Sequence, residues 1–137
     1  GFITTLFGRR RNLPDVRSTV YKIKNRALRQ GLNFTVQSAA SDVLVCAVLG
    51  IVDTIKTKGL RARLVATVHD SLEFVCPKDE TDVMCTIIRD EMENCNYMGS
   101  TLGIQLTVPL AIDLEVGSSF GNGEPYEILA ADRSSPQ

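Results

Sequence analysis

The segment that most limits how this chain can fold runs from Gln37 to Thr57. Ala40, Val43, Leu44, Ala47, Val48, Ile51, Val52 and Ile55 recur there at i, i+3 and i+4, with further apolar residues around the ring. The spacing predicts a helix closed by Gly59. A helix this apolar has to be covered by other parts of the chain. Its longest unbroken apolar run, Val43 to Val52, spans ten residues. A membrane span needs about 20, so the helix reads as buried and no membrane partner is expected. Hydrophobic residues make up 44% of the 137, which excludes wholesale disorder. One compact domain is the expectation at this length.

The remaining elements are placed around that helix. The β-branched and aromatic residues 2–7 predict a strand, and the basic residues 19–31 a first helix ended by Gly31. Residues 61–69 alternate loosely, Leu72 to Cys76 form a short apolar run, and His69-Asp70-Ser71 lie between them, which predicts a hairpin. Residues 80–95 predict an amphipathic helix, with Val83, Met84, Ile87, Ile88, Met92 and Cys95 on one face and Asp79 as candidate N-cap. Residues 105–116 alternate without exception, Leu106, Val108, Leu110, Ile112, Leu114 and Val116 taking one side. They predict a strand, and Pro109 places it at an edge or a bulge. This order predicts an α+β fold, an antiparallel sheet with packed helices. Residues 118–137 are rich in Gly, Ser, Pro and acid and predict a flexible tail after a domain of residues 1–117.

The formal net charge of −1 conceals an asymmetry. Residues 1–67 carry 12 basic and 3 acidic side chains, and residues 68–137 carry 3 basic and 13 acidic ones. Such a split points to a nucleic-acid surface or an acidic site, or to two ordinary solvated faces. Cys46, Cys76, Cys85 and Cys95 form no C-x-x-C pair, and the single His cannot complete a zinc cluster. Packed, reduced thiols and a cytoplasmic setting are expected. The first residue is Gly1, not Met, so the chain is expected to be a piece of something longer.

Asp70 is the unusual charge, an acid at the tip of an apolar hairpin. Charged side chains avoid such company. Either Asp70 simply favours the turn, where Asp bonds its own backbone, or it is kept for a cation.

Three stretches carry a family resemblance. Residues 1–15, GFITTLFGRRRNLPD, resemble the pattern G-[YF]-[VI]-x-T-x-x-G-R-R-R-x-L-P-[DE] of family A (DNA polymerase I-like) polymerases. Residues 29–42, RQGLNFTVQSAASD, resemble that family's R-x-x-x-N-x-x-x-Q-[GS]-x-A-[AS]-D, and residues 65–74, VATVHDSLEF, its palm motif C, which usually ends V-H-D-E. The three occur in the family's order and cover roughly residues 1–120. The resemblance implies the C-terminal part of a polymerase palm, part of a larger polymerase fold of phage or bacterial origin.

The implied chemistry is template-directed nucleotidyl transfer by two divalent metal ions, Mg being the expected cofactor. Mg takes oxygen ligands, commonly one or two carboxylates plus substrate phosphates. By the resemblance, Asp70 is a catalytic metal ligand and His69 a catalytic residue that also meets DNA. Arg29, Asn33 and Gln37 match positions that contact primer–template, and Arg9, Arg10 and Arg11 are expected on its phosphate backbone. Donors of these types can touch minor-groove acceptors without reading sequence. Ser71 stands where the family has Glu, so any role of that Glu is open; Glu73, two residues on, shares the strand side of Ser71.

The family's other metal-binding Asp, and its nucleotide-holding fingers helix, belong to upstream motifs that this sequence lacks. The expected partners are therefore primer–template DNA, dNTP and an N-terminal polymerase segment or chain, without which this chain is expected to be inactive. The alternative is a non-catalytic module, derived from a palm, that holds DNA or a partner protein.

Overall fold

The computed structural model describes residues 1–127. These form two compact units where the length suggests one. The first is Gly1–Val45 and the second begins at Cys46, so the boundary falls inside a single long helix.

In the first unit, β1 (Phe2–Thr4) pairs antiparallel with β2 (Arg10–Asn12), Ile3 lying opposite Arg11. The strand expected over 2–7 stops at Thr4 because the chain turns there. The buried Thr5 hydroxyl accepts the Arg9 amide at 3.0 Å, and Gly8 takes a φ of +79°, a conformation glycine adopts without penalty. A 3₁₀ turn over Pro14–Arg17 leads toward α1 (Tyr21–Thr57).

Gly31 does not end a helix. One helix of 37 residues replaces the two expected over 19–31 and 37–57. An interior glycine costs a helix about 1 kcal/mol relative to Ala, but packing outweighs propensity here. Gly31 is buried, and a Cβ on it would stand 2.9 Å from Leu13 Cδ1. Ala27, Gly31 and Ser38 are small and buried, and they keep one side of α1 low enough for Leu13 to close on it. Measured over a window rather than as an unbroken run, α1 is long and apolar enough to cross a membrane. Ile51 and Ile55 line a protein core, but the burial expected of the whole apolar helix is only partial: Val45 and Leu49 are exposed.

That core belongs to the second unit. β3 (Arg63–Val68) and β4 (Ser71–Val75) form the expected hairpin, with a bulge at Val65 between the pairs Leu64↔Phe74 and Ala66↔Glu73. Leu72 and Phe74, two apart on β4, pack against Ile51, Ile55, Ala62, Met84 and Ile87. α2 (Thr81–Asn94) supplies Met84 and Ile87. Its amphipathic pattern is realised, although Val83 stays exposed.

Asp79 does not cap α2. It lies in a 3₁₀ turn, Lys78–Glu80, and its carboxylate pairs with Arg61. The buried Glu80 organises this end of the unit. Its carboxylate accepts the amides of Arg61 and Ala62 at 2.9 and 3.1 Å and Arg61 Nε at 2.9 Å. The Arg61 side chain above all holds the Glu80 pKa below the usual carboxylate value. The stability so gained is present above the ordinary carboxylate range and is lost as acid protonates Glu80.

Cys95, at φ +51°, breaks the helix before α3 (Asn96–Leu102). α1 comes closest to this corner at Gly50, where a Cβ would stand 2.9 Å from Tyr97 Cβ. Beside it Glu91 is half-buried, and burial pushes its pKa up. No disulfide joins the four cysteines; Cys46, Cys85 and Cys95 are buried and Cys76 half-buried. Burial pushes the Cys85 and Cys95 thiols up.

Residues 105–116 do not form the long strand their alternation predicts. Only β5 (Glu115–Val116) pairs, with β6 (Glu124–Pro125). Alternation decides which side chains share a side, but a strand also needs a neighbour with free N–H and C=O groups. β3 and β4 pair only with each other, and Pro109 has no N–H to offer. Leu106, Val108 and Leu110 remain exposed. Long and short helices with small antiparallel sheets make this an α+β chain, as expected. The residues read as a tail, from 118 on, contribute β6 within the described part; residues 128–137 lie outside it.

Candidate functional site

The candidate residues divide between the two units. In the second, the pair Val68↔Ser71 closes the hairpin, so the loop is His69 and Asp70 alone. Both are exposed. Neither side chain has a hydrogen-bond or ion-pair partner among the described residues, which leaves the Asp70 carboxylate open to solvent and to a cation. His69 takes a φ of +55°, the left-handed region that costs an L residue about 1–2 kcal/mol. Non-glycine residues held there cluster at functional sites.

Ser71 Oγ donates to Val68 O at 3.1 Å, tying the turn, and to Glu73 Oε1 at 3.3 Å. The two residues whose roles the sequence leaves open are thus in contact, on the strand side opposite Leu72 and Phe74. Oxygen donors of this kind suit a hard cation such as Mg. Among the described residues, no group of three or more His, Cys, Asp or Glu side chains gathers to hold a metal ion.

The strain at His69 separates structural from functional need. His69→Gly relieves the left-handed penalty and gives back about 0.5–1 kcal/mol in unfolded-state entropy. The variant is expected to be as stable as the parent or more so, by up to about 1 kcal/mol, in urea denaturation of the whole chain. A large loss of stability would mean that the imidazole is structural.

In the first unit, Arg29, Asn33 and Gln37 fall in a single row on α1 and all are exposed. Their spacing of four puts each one turn above the last. An adjacent row of Leu28, Leu32 and Val36 is exposed too. The side of the helix bearing Ala27, Gly31 and Ser38 is the packed one, so both rows point away from the hairpin β1–β2.

The three arginines after Gly8 are placed differently from one another. Arg9 forms an ion pair with Asp42 at 2.6 Å and donates to Ser38 O at 3.4 Å. Arg10 lies over the Phe2 ring at 3.9 Å from its centroid, and Arg11 over the Phe34 ring at 5.0 Å. Arg10 and Arg11 are exposed and their guanidinium planes are held by aromatic faces. Asp42, Phe2 and Phe34 were not singled out in the sequence. Asp42 closes the second family-like stretch, and its position there was the available signal.

The model of DNA polymerase family A matches residues 1–122. DNA polymerase I of Bacillus caldotenax is 33% identical over 120 residues, 88% of this chain and 13% of that protein. The DNA polymerase of Bacillus phage SP01 is also 33% identical over 120 residues, with the same coverage. Among solved structures, the POL domain of Pol1 from M. smegmatis, in complex with DNA primer-template and dNTP, superposes with a TM-score of 0.68 at 32% identity. That match covers 81% of this chain and 18% of the other. The chain therefore spans about an eighth of the curated relatives it matches. With an exposed acid at the tip of a motif-C-like hairpin and a family match over nearly its whole length, this chain belongs to DNA polymerase family A.

Proposed function

We propose that the chain is the C-terminal part of a polymerase palm, residues 1–117, followed by a C-terminal extension, and that it works in template-directed DNA synthesis with an upstream polymerase segment. The observation that carries the proposal is Asp70. It lies in the family-like V-H-D stretch, on a two-residue turn, with an exposed and unpartnered carboxylate. The hairpin beneath it is anchored by Leu72 and Phe74 on the core, which keeps the carboxylate on a rigid support.

Asp70 would hold Mg together with a carboxylate of the upstream segment. Bound there, the metal would supply charge stabilisation to the oxygens that react in nucleotidyl transfer. Glu73, through Ser71, supports the turn from the next position on the strand. His69 and the row Arg29, Asn33 and Gln37 offer donors to the primer–template. Arg10 and Arg11, stacked on Phe2 and Phe34, present their free guanidinium edges to phosphate, as a planar donor fork does well. Arg9 pairs within its own unit, where its bond to Asp42 fastens the turn between β1 and β2 to α1. The exposed Leu106, Val108 and Leu110 are an apolar stretch that the upstream segment would cover.

Primer extension with dNTPs and Mg tests this directly. The 137-residue chain alone is expected to add no nucleotide, and the chain mixed with its upstream polymerase segment is expected to extend the primer. Extension by the chain alone would overturn the dependence on that segment. Binding of primer–template without extension in the full assembly would favour a non-catalytic module.

A further inference from the structure

The end of the family match at residue 122 coincides with the start of a second set of contacts. Glu124 and Pro125 pair with Val116 and Glu115. The Tyr126 amide donates to Leu114 O at 2.8 Å, and the Tyr126 hydroxyl donates to the Asp82 carboxylate in the first turn of α2. Near the other end of α2, Glu93 accepts the Ile112 amide at 3.4 Å. Residues 112–116 are therefore tied to α2 at both of its ends, once by their own backbone and once through Tyr126.

We propose that residues 124–126, just past the stretch that the family model matches, are a strap that fastens the segment 112–116 along α2. The strap has a structural purpose that follows from the fold. Residues 105–114 have no ladder partner among the described residues, and only a few hydrogen bonds hold them. Without a second attachment they would be free to leave α2, and α2 carries Met84 and Ile87 into the core beneath the Asp70 hairpin. Tyr126 is suited to the task because it makes two bonds in different directions, one from its amide and one from its ring hydroxyl. The Asp82 bond also leaves a mark: it pushes the Tyr126 phenol up to about 12.

Two substitutions in the full chain test the strap, Tyr126→Phe and Asp82→Asn. Amide hydrogen exchange is the first readout. In Tyr126→Phe the amide of residue 126 is expected to exchange about five-fold faster, as the loss of one hydrogen bond of ordinary strength gives, while the amides of β3 and β4 keep their parent rates. Asp82→Asn is expected to reproduce a smaller part of that change. The second readout is phenolate absorbance during alkaline titration. In the parent, the Tyr126 phenolate step is expected at about 12, and in Asp82→Asn it should move down. Unchanged exchange at residue 126 in Tyr126→Phe would overturn the strap. So would the absence of a phenolate step at about 12 in the parent chain.

Discussion

Asp70→Ala is expected to reduce primer extension by the assembled polymerase roughly a thousandfold or more. The size follows from what the carboxylate is proposed to do. Metal ions in such sites supply several kcal/mol of charge stabilisation, and each 1.36 kcal/mol of barrier is about tenfold in rate. The fold itself should not notice the change. Asp70 is exposed and has no side-chain partner, and the turn is held by the Ser71–Val68 bond and by the β3–β4 ladder. Affinity for primer–template should stay within a few-fold, because the donors proposed to meet DNA lie on other residues. Two measurements on one preparation therefore decide the assignment, extension rate and DNA binding. If Asp70→Ala extends primers at the parent rate, Asp70 holds no catalytic metal. If binding collapses along with extension, the residue is shaping the DNA surface instead.

The hairpin was legible because its signal is local. A loosely alternating stretch and a short apolar run separated by a few polar residues leave few alternatives, and an acid at the tip stands out against them. The amphipathic helix over 80–95 was legible for the same reason. The failures share a different cause. Gly31 looks like a helix stop until Leu13, eighteen residues earlier, is found resting against it. The alternation over 105–116 is as regular as any in the chain, yet strand formation needs a partner's hydrogen bonds and no pattern of side chains supplies them. Asp79 resembles an N-cap by position, but Arg61 draws its carboxylate away, and Glu80 takes the amides of Arg61 and Ala62 ahead of β3.

The candidate site shows the same division. Arg29, Asn33 and Gln37 share a row because a helix with a period near four puts them there. Arg9 looked equivalent to Arg10 and Arg11 in sequence, yet the fold separates it from them. It lies in the first family-like stretch and Asp42 ends the second, so their ion pair joins the two stretches. A run of like residues says that charge is wanted, and only the packing says which member pairs with a carboxylate and which stacks on an aromatic ring.

The largest expected effect on stability is at Ile51. This side chain is fully buried, on the part of α1 that meets α2 and the hairpin. Truncation to Ala removes three carbons from a site enclosed by Ile55, Ala62, Met84 and Ile87. Ile→Ala at such positions costs about 2–5 kcal/mol, the lost transfer free energy plus the cavity left behind, whereas Ile→Val costs about 0.5–1.5. The higher part of the range applies if the neighbours cannot move in. Gly50 beside it already brings α1 close to Tyr97, which restricts any collapse of the helix toward α2 and α3. Natural domains keep only about 5–15 kcal/mol in total, so Ile51→Ala should remove a large share, and Ile51→Val a small one. Urea denaturation of the two variants, followed by far-ultraviolet circular dichroism, measures both. A cost below about 1 kcal/mol for Ile51→Ala would show that α1, α2 and the hairpin do not share one core. Because Leu72 and Phe74 rest on the same cluster, the Asp70 turn loses its support as the core loosens. Ile51→Ala should then weaken extension in the assembly at temperatures where the parent is unaffected, and cooling should restore it. Asp70→Ala should be insensitive to cooling, since there the missing group is the ligand itself.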